Sequence, residues 1–195
     1  MRAQLRILSG SLRGRKLAYT VHPGLRPIPD MVRQALFNIL RDDIPDHPLA
    51  DLFAGTGVVG FEALSRGART VEFVEREFHA ANAIAKSLKE FGVADKGYLR
   101  RADVYRWVER WQAPAEPVTI FLGPPFPDFE HRTEALVQTV VALQQKLAPG
   151  SVLVLQSEKT FIADNLASGE TWDVRHYGRN QLAIWRKEGV PSAGH

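Results

Sequence analysis

No cysteine occurs anywhere in the 195-residue chain. Disulfides, thiolate nucleophiles, iron–sulfur clusters and cysteine-based zinc sites are thereby excluded. Long apolar runs are missing too. The strongest, residues 118–122 and 152–155, are strand-sized, far short of the ~20 residues that a bilayer demands. Met1-Arg2-Ala3-Gln4-Leu5-Arg6 lacks the apolar core of a secretory signal, so a soluble, cytoplasmic protein is expected. His22, His47, His79, His131, His176 and His195 are scattered without metal-ligand spacing, and no metal is expected. No Ser-His-Asp spacing points to hydrolase chemistry either. Acids are absent before Asp30, whereas Arg2, Arg6, Arg13, Arg15, Lys16 and Arg26 precede it. A net charge of only +3 makes that distribution more informative than the sum. The basic start reads either as a solvated terminus or as an arm that grips phosphates.

What is present is a globular composition, 45% hydrophobic and 24% charged. Residues 5–8 and 16–19 flank a turn-rich stretch and form a candidate β-hairpin with a basic tip. Pro23, Gly24, Pro27 and Pro29 interrupt regular structure, and Asp30 stands as a candidate N-cap. Val32, Leu36, Ile39 and Leu40 then recur at helical spacing. From Leu49 onward, strand-like segments (49–53, 70–74, 98–101, 118–122, 151–156, 172–177, 181–185) alternate with helical ones (58–66, 78–91, 104–111, 132–146). Such alternation implies right-handed crossovers and an α/β fold, a mostly parallel seven-stranded sheet with helices on both faces. The last two strands are separated by Gly178-Arg179-Asn180, too short for a crossover, so an antiparallel hairpin is expected at one edge. The expected organisation is an N-terminal hairpin-plus-helix appendage (1–47), a main domain (48–188) and a frayed tail (189–195). Nothing in the chain asks for a partner subunit, and a monomer is expected. Trp107, Trp111, Trp172 and Trp185 read as core. Arg100, Arg101, Arg106 and Arg110 read as a solvated face or a phosphate track.

Asp51-Leu52-Phe53-Ala54-Gly55-Thr56-Gly57-Val58-Val59-Gly60 sets a glycine turn between a strand and a helix, and Glu75 ends the next strand. Glycine lets the backbone turn tightly and a ligand approach without a Cβ in the way. A carboxylate at the second strand's end suits the two hydroxyls of a ribose. Loop and acid together fit a dinucleotide or S-adenosyl-L-methionine (SAM). Three features favour SAM. Asp51 would attract a cationic methionine end and repel a pyrophosphate. Asp103, after the third strand, would meet an adenine amino group, although a helix cap is an equal use for it. Pro124-Pro125-Phe126 follows the fourth strand. Strand ends at the carboxyl edge of an open sheet converge, so these groups are expected around one pocket with Phe53, Ala54, Thr56, Arg76 and Val104.

Gly123-Pro124-Pro125-Phe126 resembles the signature of methyltransferases acting on exocyclic amines of bases: an Asp or Asn, two prolines and an aromatic. Such a nitrogen is a poor nucleophile because its lone pair is delocalised into the ring. Two acceptors gripping its hydrogens, the Asp/Asn side chain and the first proline's carbonyl, favour the attacking geometry, and the aromatic stacks on the base. Here Gly123 replaces the acid. Asp128 and Glu130 lie close by in sequence as substitutes.

Across nearly its whole length the chain is similar to the RsmD-type 16S ribosomal RNA guanine-N2 methyltransferases. The similarity rests on Ile7-Leu8-Ser9-Gly10, Leu12-Arg13-Gly14-Arg15-Lys16-Leu17, Gly24-Leu25-Arg26-Pro27, Val32-Arg33, Leu36-Phe37-Asn38 and the glycine turn. It continues through Glu62-Ala63-Leu64-Ser65-Arg66-Gly67-Ala68, Val74-Glu75, Pro124-Pro125-Phe126 and Tyr177-Gly178. The resemblance implies SAM binding by Asp51, Gly55, Gly57, Glu75 and Asp103, with Phe126 and the Pro124 carbonyl at the target base. It also implies ribosomal RNA or the small ribosomal subunit as partner, gripped by Arg6, Arg13, Arg15, Lys16 and Arg26. Besides Gly123, the residues Ile28, Pro29 and Gln34 depart from the family's usual polar ones. A catalytically weak or inactive paralogue that still binds SAM and RNA is therefore the alternative expectation, and a dinucleotide-dependent oxidoreductase a distant third.

Overall fold

The computed structural model describes residues 2–21, 27–159, 161, 166 and 171–189. Arg26 and residues 190–195 lie outside the described residues. The chain starts with an antiparallel hairpin of β1 (Arg2–Arg6) and β2 (Lys16–Thr20). Helix α1 (Asp30–Ile39) follows, but Asp30 does not cap it. Pro29 occupies the N-cap position and Asp30 is the first helical residue, its carboxylate 3.1 Å from Arg33. An acid in the first turn is favoured there by the helix dipole and by a basic partner at i+3.

Then come β3 (Pro48–Leu52), α2 (Val58–Ser65), β4 (Thr70–Val74), α3 (Phe78–Glu90), β5 (Gly97–Arg100), α4 (Val104–Arg110) and β6 (Thr119–Leu122). They are followed by α5 (Asp128–His131), α6 (Thr133–Lys146), β7 (Val152–Glu158), β8 (Asp173–Tyr177) and β9 (Asn180–Arg186). The sheet has the order β5-β4-β3-β6-β7-β9-β8. It is parallel from β5 to β7, and β9 runs antiparallel to both its neighbours. The expected strands and helices are all present. The short helix α5 was not foreseen, because four residues cannot display a helical period. The closing hairpin turns on Gly178-Arg179 alone, since Tyr177 pairs with Asn180. β9 lies inside the sheet because Leu182, Ala183, Ile184 and Trp185 are all buried. β8 carries Asp173, Arg175 and His176, a polar strand fit for an edge.

Period-two alternation sends side chains to two cores. Leu49, Val71, Phe73, Phe121 and Val154 meet Phe61 of α2 and Ile84 of α3, and Ile7, Leu12, Leu17, Leu36 and Phe37 of the N-terminal unit continue that cluster. Leu52, Ile120, Leu122, Leu153 and Leu155 meet Val104, Val108, Leu136, Val140 and Leu143 on the other face. Trp185 belongs to this second core, and Trp107 and Trp111 stack against each other at its margin, centroids 5.2 Å apart.

A buried charge cluster ties the hairpin to α2. Glu62 is inaccessible to solvent and accepts the N–H groups of Leu8 at 2.9 Å and Ser9 at 3.0 Å. It also holds Arg66 Nε at 3.0 Å and faces Arg33 Nε at 3.6 Å. Arg33, equally buried, donates to the Arg6 carbonyl at 2.7 Å. Desolvation lowers the Arg33 pKa, and Asp30 and Glu62 oppose that shift. Gly10 rests against the end of α2, where a Cβ would lie 1.8 Å from the Ser65 carbonyl oxygen. Only glycine permits that approach.

Candidate active site

A cavity of about 690 Å³ opens at the carboxyl ends of β3, β4 and β6. The chain reverses direction across the sheet between β3 and β6, the place where open α/β sheets bind ligands. Asp51, Phe53, Ala54, Gly55 and Thr56 line it from the first strand and turn, and Glu75 and Arg76 from the second. Gly123, Pro124, Pro125 and Phe126 close the opposite wall. The turn departs from ordinary backbone at Phe53, Gly55 and Gly57, with φ of 61°, 54° and 73°. Glycine adopts these angles freely, whereas Phe53 holds its own against preference. Gly57 packs rather than lines, and a Cβ there would come within 3.0 Å of Ile84.

Glu75 is held by backbone donors. Its Oε2 accepts Gly55 N–H and its Oε1 accepts Glu77 N–H, both at 2.7 Å. Fixed in this way, the carboxylate keeps lone pairs free on the cavity wall. Asp51 accepts Gly60 N–H at 2.9 Å and is almost wholly buried. Burial pushes its pKa up to about 8, with Glu75 adding repulsion and the Gly60 bond opposing. The carboxyl foreseen as an anion therefore keeps its proton at neutral pH until a cation arrives beside it.

Asp103 stands apart from this wall, which takes Ala102 and Val104 from its segment. Its Oδ1 caps α4 through Tyr105 N–H at 3.0 Å, and its Oδ2 faces Arg76 at 3.4 Å and Arg132 at 3.8 Å. Asp103 thus serves as the N-cap of α4. Arg6, Arg13, Arg15 and Lys16 lie exposed on the hairpin and none lines the cavity. Arg15 is additionally tied down, donating to the Glu90 carbonyl and covering the Phe91 ring at 4.7 Å. Pro27 and Ile28 reach the cavity wall.

A family model described as "Conserved hypothetical protein 95" matches residues 5–186. Ribosomal RNA small subunit methyltransferase D of Escherichia coli K12 is 33% identical over 157 residues, 80% of this chain and 75% of its own. The chain belongs to this family, that of the RsmD-type ribosomal RNA methyltransferases. The Haemophilus influenzae protein of the same name is 32% identical over 159 residues, 81% of both chains. A solved structure, a hypothetical protein of Thermus thermophilus, shares the fold with a TM-score of 0.73 at 28% identity, covering 95% of this chain and 99% of its own. The RsmD-family fold is the Rossmann-like fold of SAM-dependent methyltransferases.

Several residues of this RsmD-family cavity escaped sequence reading. Phe121, His131, Gln156 and Glu158 line it unforeseen, while Asp128 and Glu130, expected as substitutes for the acid missing at Gly123, line it too. Tyr105 meets Phe53 edge-on at 5.3 Å, with the Arg132 guanidinium 3.9 Å over its ring. The only available signal was position, at or near the carboxyl ends of β6 and β7. The described residues hold no cluster fit for a metal, and no described helix is long and apolar enough to cross a membrane.

Asp51 also gives stability a pH dependence. Unfolded, it titrates near 3.8; folded, near 8. The folded state therefore binds the extra proton, and the stabilisation is full below about 4 and lost as pH rises through about 8. Denaturant unfolding at stepped pH should show this decline in the wild type relative to Asp51→Asn, whose amide does not titrate. Parallel curves for the two proteins would refute the assignment.

Proposed function

We propose that the protein transfers the methyl group of SAM to the exocyclic N2 of a guanine in small-subunit ribosomal RNA. The observation that carries this reading is one cavity that joins the glycine turn and Glu75 to the Pro124-Pro125-Phe126 turn, in a chain of the RsmD family. The wall fits SAM by its chemistry. A fixed carboxylate at Glu75 suits vicinal hydroxyls, the apolar Val74, Ala80, Ala102 and Val104 suit an adenine, and Asp51 suits a positive charge. A buried Asp51 carboxyl that ionises only beside a cation favours the positively charged methionine end of SAM over a pyrophosphate, which argues against a dinucleotide.

SAM, when bound, supplies an electrophilic methyl whose bond to sulfur breaks as the bond to nitrogen forms, while the nitrogen sheds one proton to water. The protein's part is positioning and electrostatics. Phe126 stacks on the splayed-out base, and the Pro124 carbonyl accepts from its amine. The exposed Arg6, Arg13, Arg15 and Lys16 hold RNA phosphates and set register without reading sequence. Gly123 is the one observation favouring the second reading, a paralogue that binds SAM and RNA without turnover.

The deciding experiment incubates the protein with labelled SAM and small ribosomal subunits lacking the methyl group, then identifies the labelled nucleoside. N2-methylguanosine is expected. Measurable SAM binding with no label would establish the second reading instead.

A further inference from the structure

We infer that Asp128, held in place by Tyr105, grips the target amine in the role left open by Gly123. The inference rests on the methyl-transfer reading above and names the missing acceptor.

Beside the motif, two acceptors that accept nothing from the described residues, the Pro124 carbonyl and Asp128 Oδ1, face the same cavity. In the turn that follows β6, the carbonyls of Pro125, Phe126 and Pro127 all accept amide N–H groups of α5 and its flank. The Pro124 carbonyl accepts from no described residue. The second acceptor is on Asp128, the first residue of α5, which lines the same cavity and is only 8% exposed. Its Oδ2 accepts the Tyr105 hydroxyl at 2.6 Å, and its Oδ1 accepts from no described residue. The Tyr105 hydroxyl is itself raised in pKa by desolvation and by Asp128, so it remains a donor.

Asp128 Oδ1 is open to the cavity rather than sealed in the protein, so a ligand bringing N–H groups into the cavity meets an acceptor whose other oxygen is already held. An exocyclic amine brings two. Gripped by the Pro124 carbonyl on one side and Asp128 on the other, its nitrogen is made pyramidal and its lone pair is withdrawn from conjugation with the ring. Asp128 undergoes no covalent change; it accepts a hydrogen bond that strengthens as the nitrogen becomes positive. The other nearby acid is less suited. Glu130 is exposed on α5 and no described group fixes it.

Orientation comes from Tyr105. Its ring is clamped between the Phe53 edge and Arg132, and the backbone N–H of Asp128 is bonded to the Pro125 carbonyl at 2.9 Å. The side chain of Asp128 is thus tied to α4 and its main chain to the motif turn. At Gly123, an added Cβ would lie 3.0 Å from Phe121 Cε1. The Phe121 ring must shift slightly to admit a side chain, so an acid restored there is sterically feasible.

The test measures kcat on methyl-deficient small subunits, together with SAM affinity. Asp128→Ala should lose about 10²–10³ in kcat, with the SAM Kd within about threefold of wild type. Asp128→Asn keeps an acceptor oxygen, with its amide turned to the Tyr105 hydroxyl, and should retain activity to within about tenfold. Adding Gly123→Asp to Asp128→Ala should restore most of the loss, a rescue that a merely structural role would not give. Asp128→Ala with wild-type kcat and intact SAM binding overturns this inference and leaves the methyl-transfer reading standing. A wild type that methylates no subunit overturns both. If Asp128→Ala also loses SAM binding, Tyr105→Phe decides. A kcat about tenfold lower at unchanged KM sustains the positioning role, and an unchanged kcat overturns it.

Discussion

Glu75→Ala is expected to weaken SAM binding by roughly 100-fold. Hydrogen bonds to a charged group contribute about 1.5–3 kcal/mol each, and in the proposed function Glu75 accepts from both hydroxyls of the SAM ribose. Its two oxygens are oriented by Gly55 and Glu77 N–H groups at 2.7 Å, so the side chain enters binding already fixed. Truncation removes the ligand's acceptor and also leaves those two amides without their carboxylate. Glu75→Gln should recover only part of the loss, because one of its two terminal atoms cannot accept. Calorimetric titration with SAM measures this. A Kd within about threefold of wild type would remove Glu75 from the ribose subsite. The same titration with a nicotinamide dinucleotide should give no comparable affinity, since a pyrophosphate offers the buried Asp51 no positive charge to pair with.

The second large effect is on folding. Glu62→Ala should destabilise the protein by about 3–5 kcal/mol, the usual result of stripping one partner from a buried charge pair. Glu62 is inaccessible to solvent and satisfies Leu8 and Ser9 N–H groups as well as Arg66, while facing Arg33. Its removal takes the buried acid from the Arg33 guanidinium, leaving it the exposed Asp30 and the Arg6 carbonyl, and its Nη1 has no hydrogen-bond partner among the described residues even in the intact protein. Denaturant unfolding should show a lower midpoint at unchanged slope. The double change Glu62→Leu with Arg33→Met should be milder than Glu62→Ala alone, because no charge is then left buried. A loss under about 1 kcal/mol would mean that water reaches the cluster. The pair also anchors the hairpin that carries Arg6, Arg13, Arg15 and Lys16 onto the helix that starts at the glycine turn.

Much of the architecture was legible without coordinates. Strands with continuous apolar character, such as Thr119–Leu122, and helices with a clear period, such as Phe78–Glu90, announce themselves through neighbours a few residues apart. The glycine turn and Glu75 were legible for the same reason, as the chain itself sets them at successive strand ends. Asp30 and Asp103 were harder. An acid before a helix has several local uses, and the sequence alone does not say whether it caps, pairs or meets a ligand. In the structure Asp30 pairs with Arg33 and Asp103 caps α4.

The sequence by itself determined the alternating α/β plan, the glycine turn, the family and the vacancy at Gly123, because each is written in residues adjacent along the chain. Tertiary structure alone decided which groups share a wall and which charges lose water. Asp128 meets Tyr105 across 23 positions, and Glu62 meets Leu8 across 54. Burial set the Asp51 pKa near 8. Partners so far apart are joined by packing the sheet against its helices, and a desolvation energy exists only once that packing has excluded water.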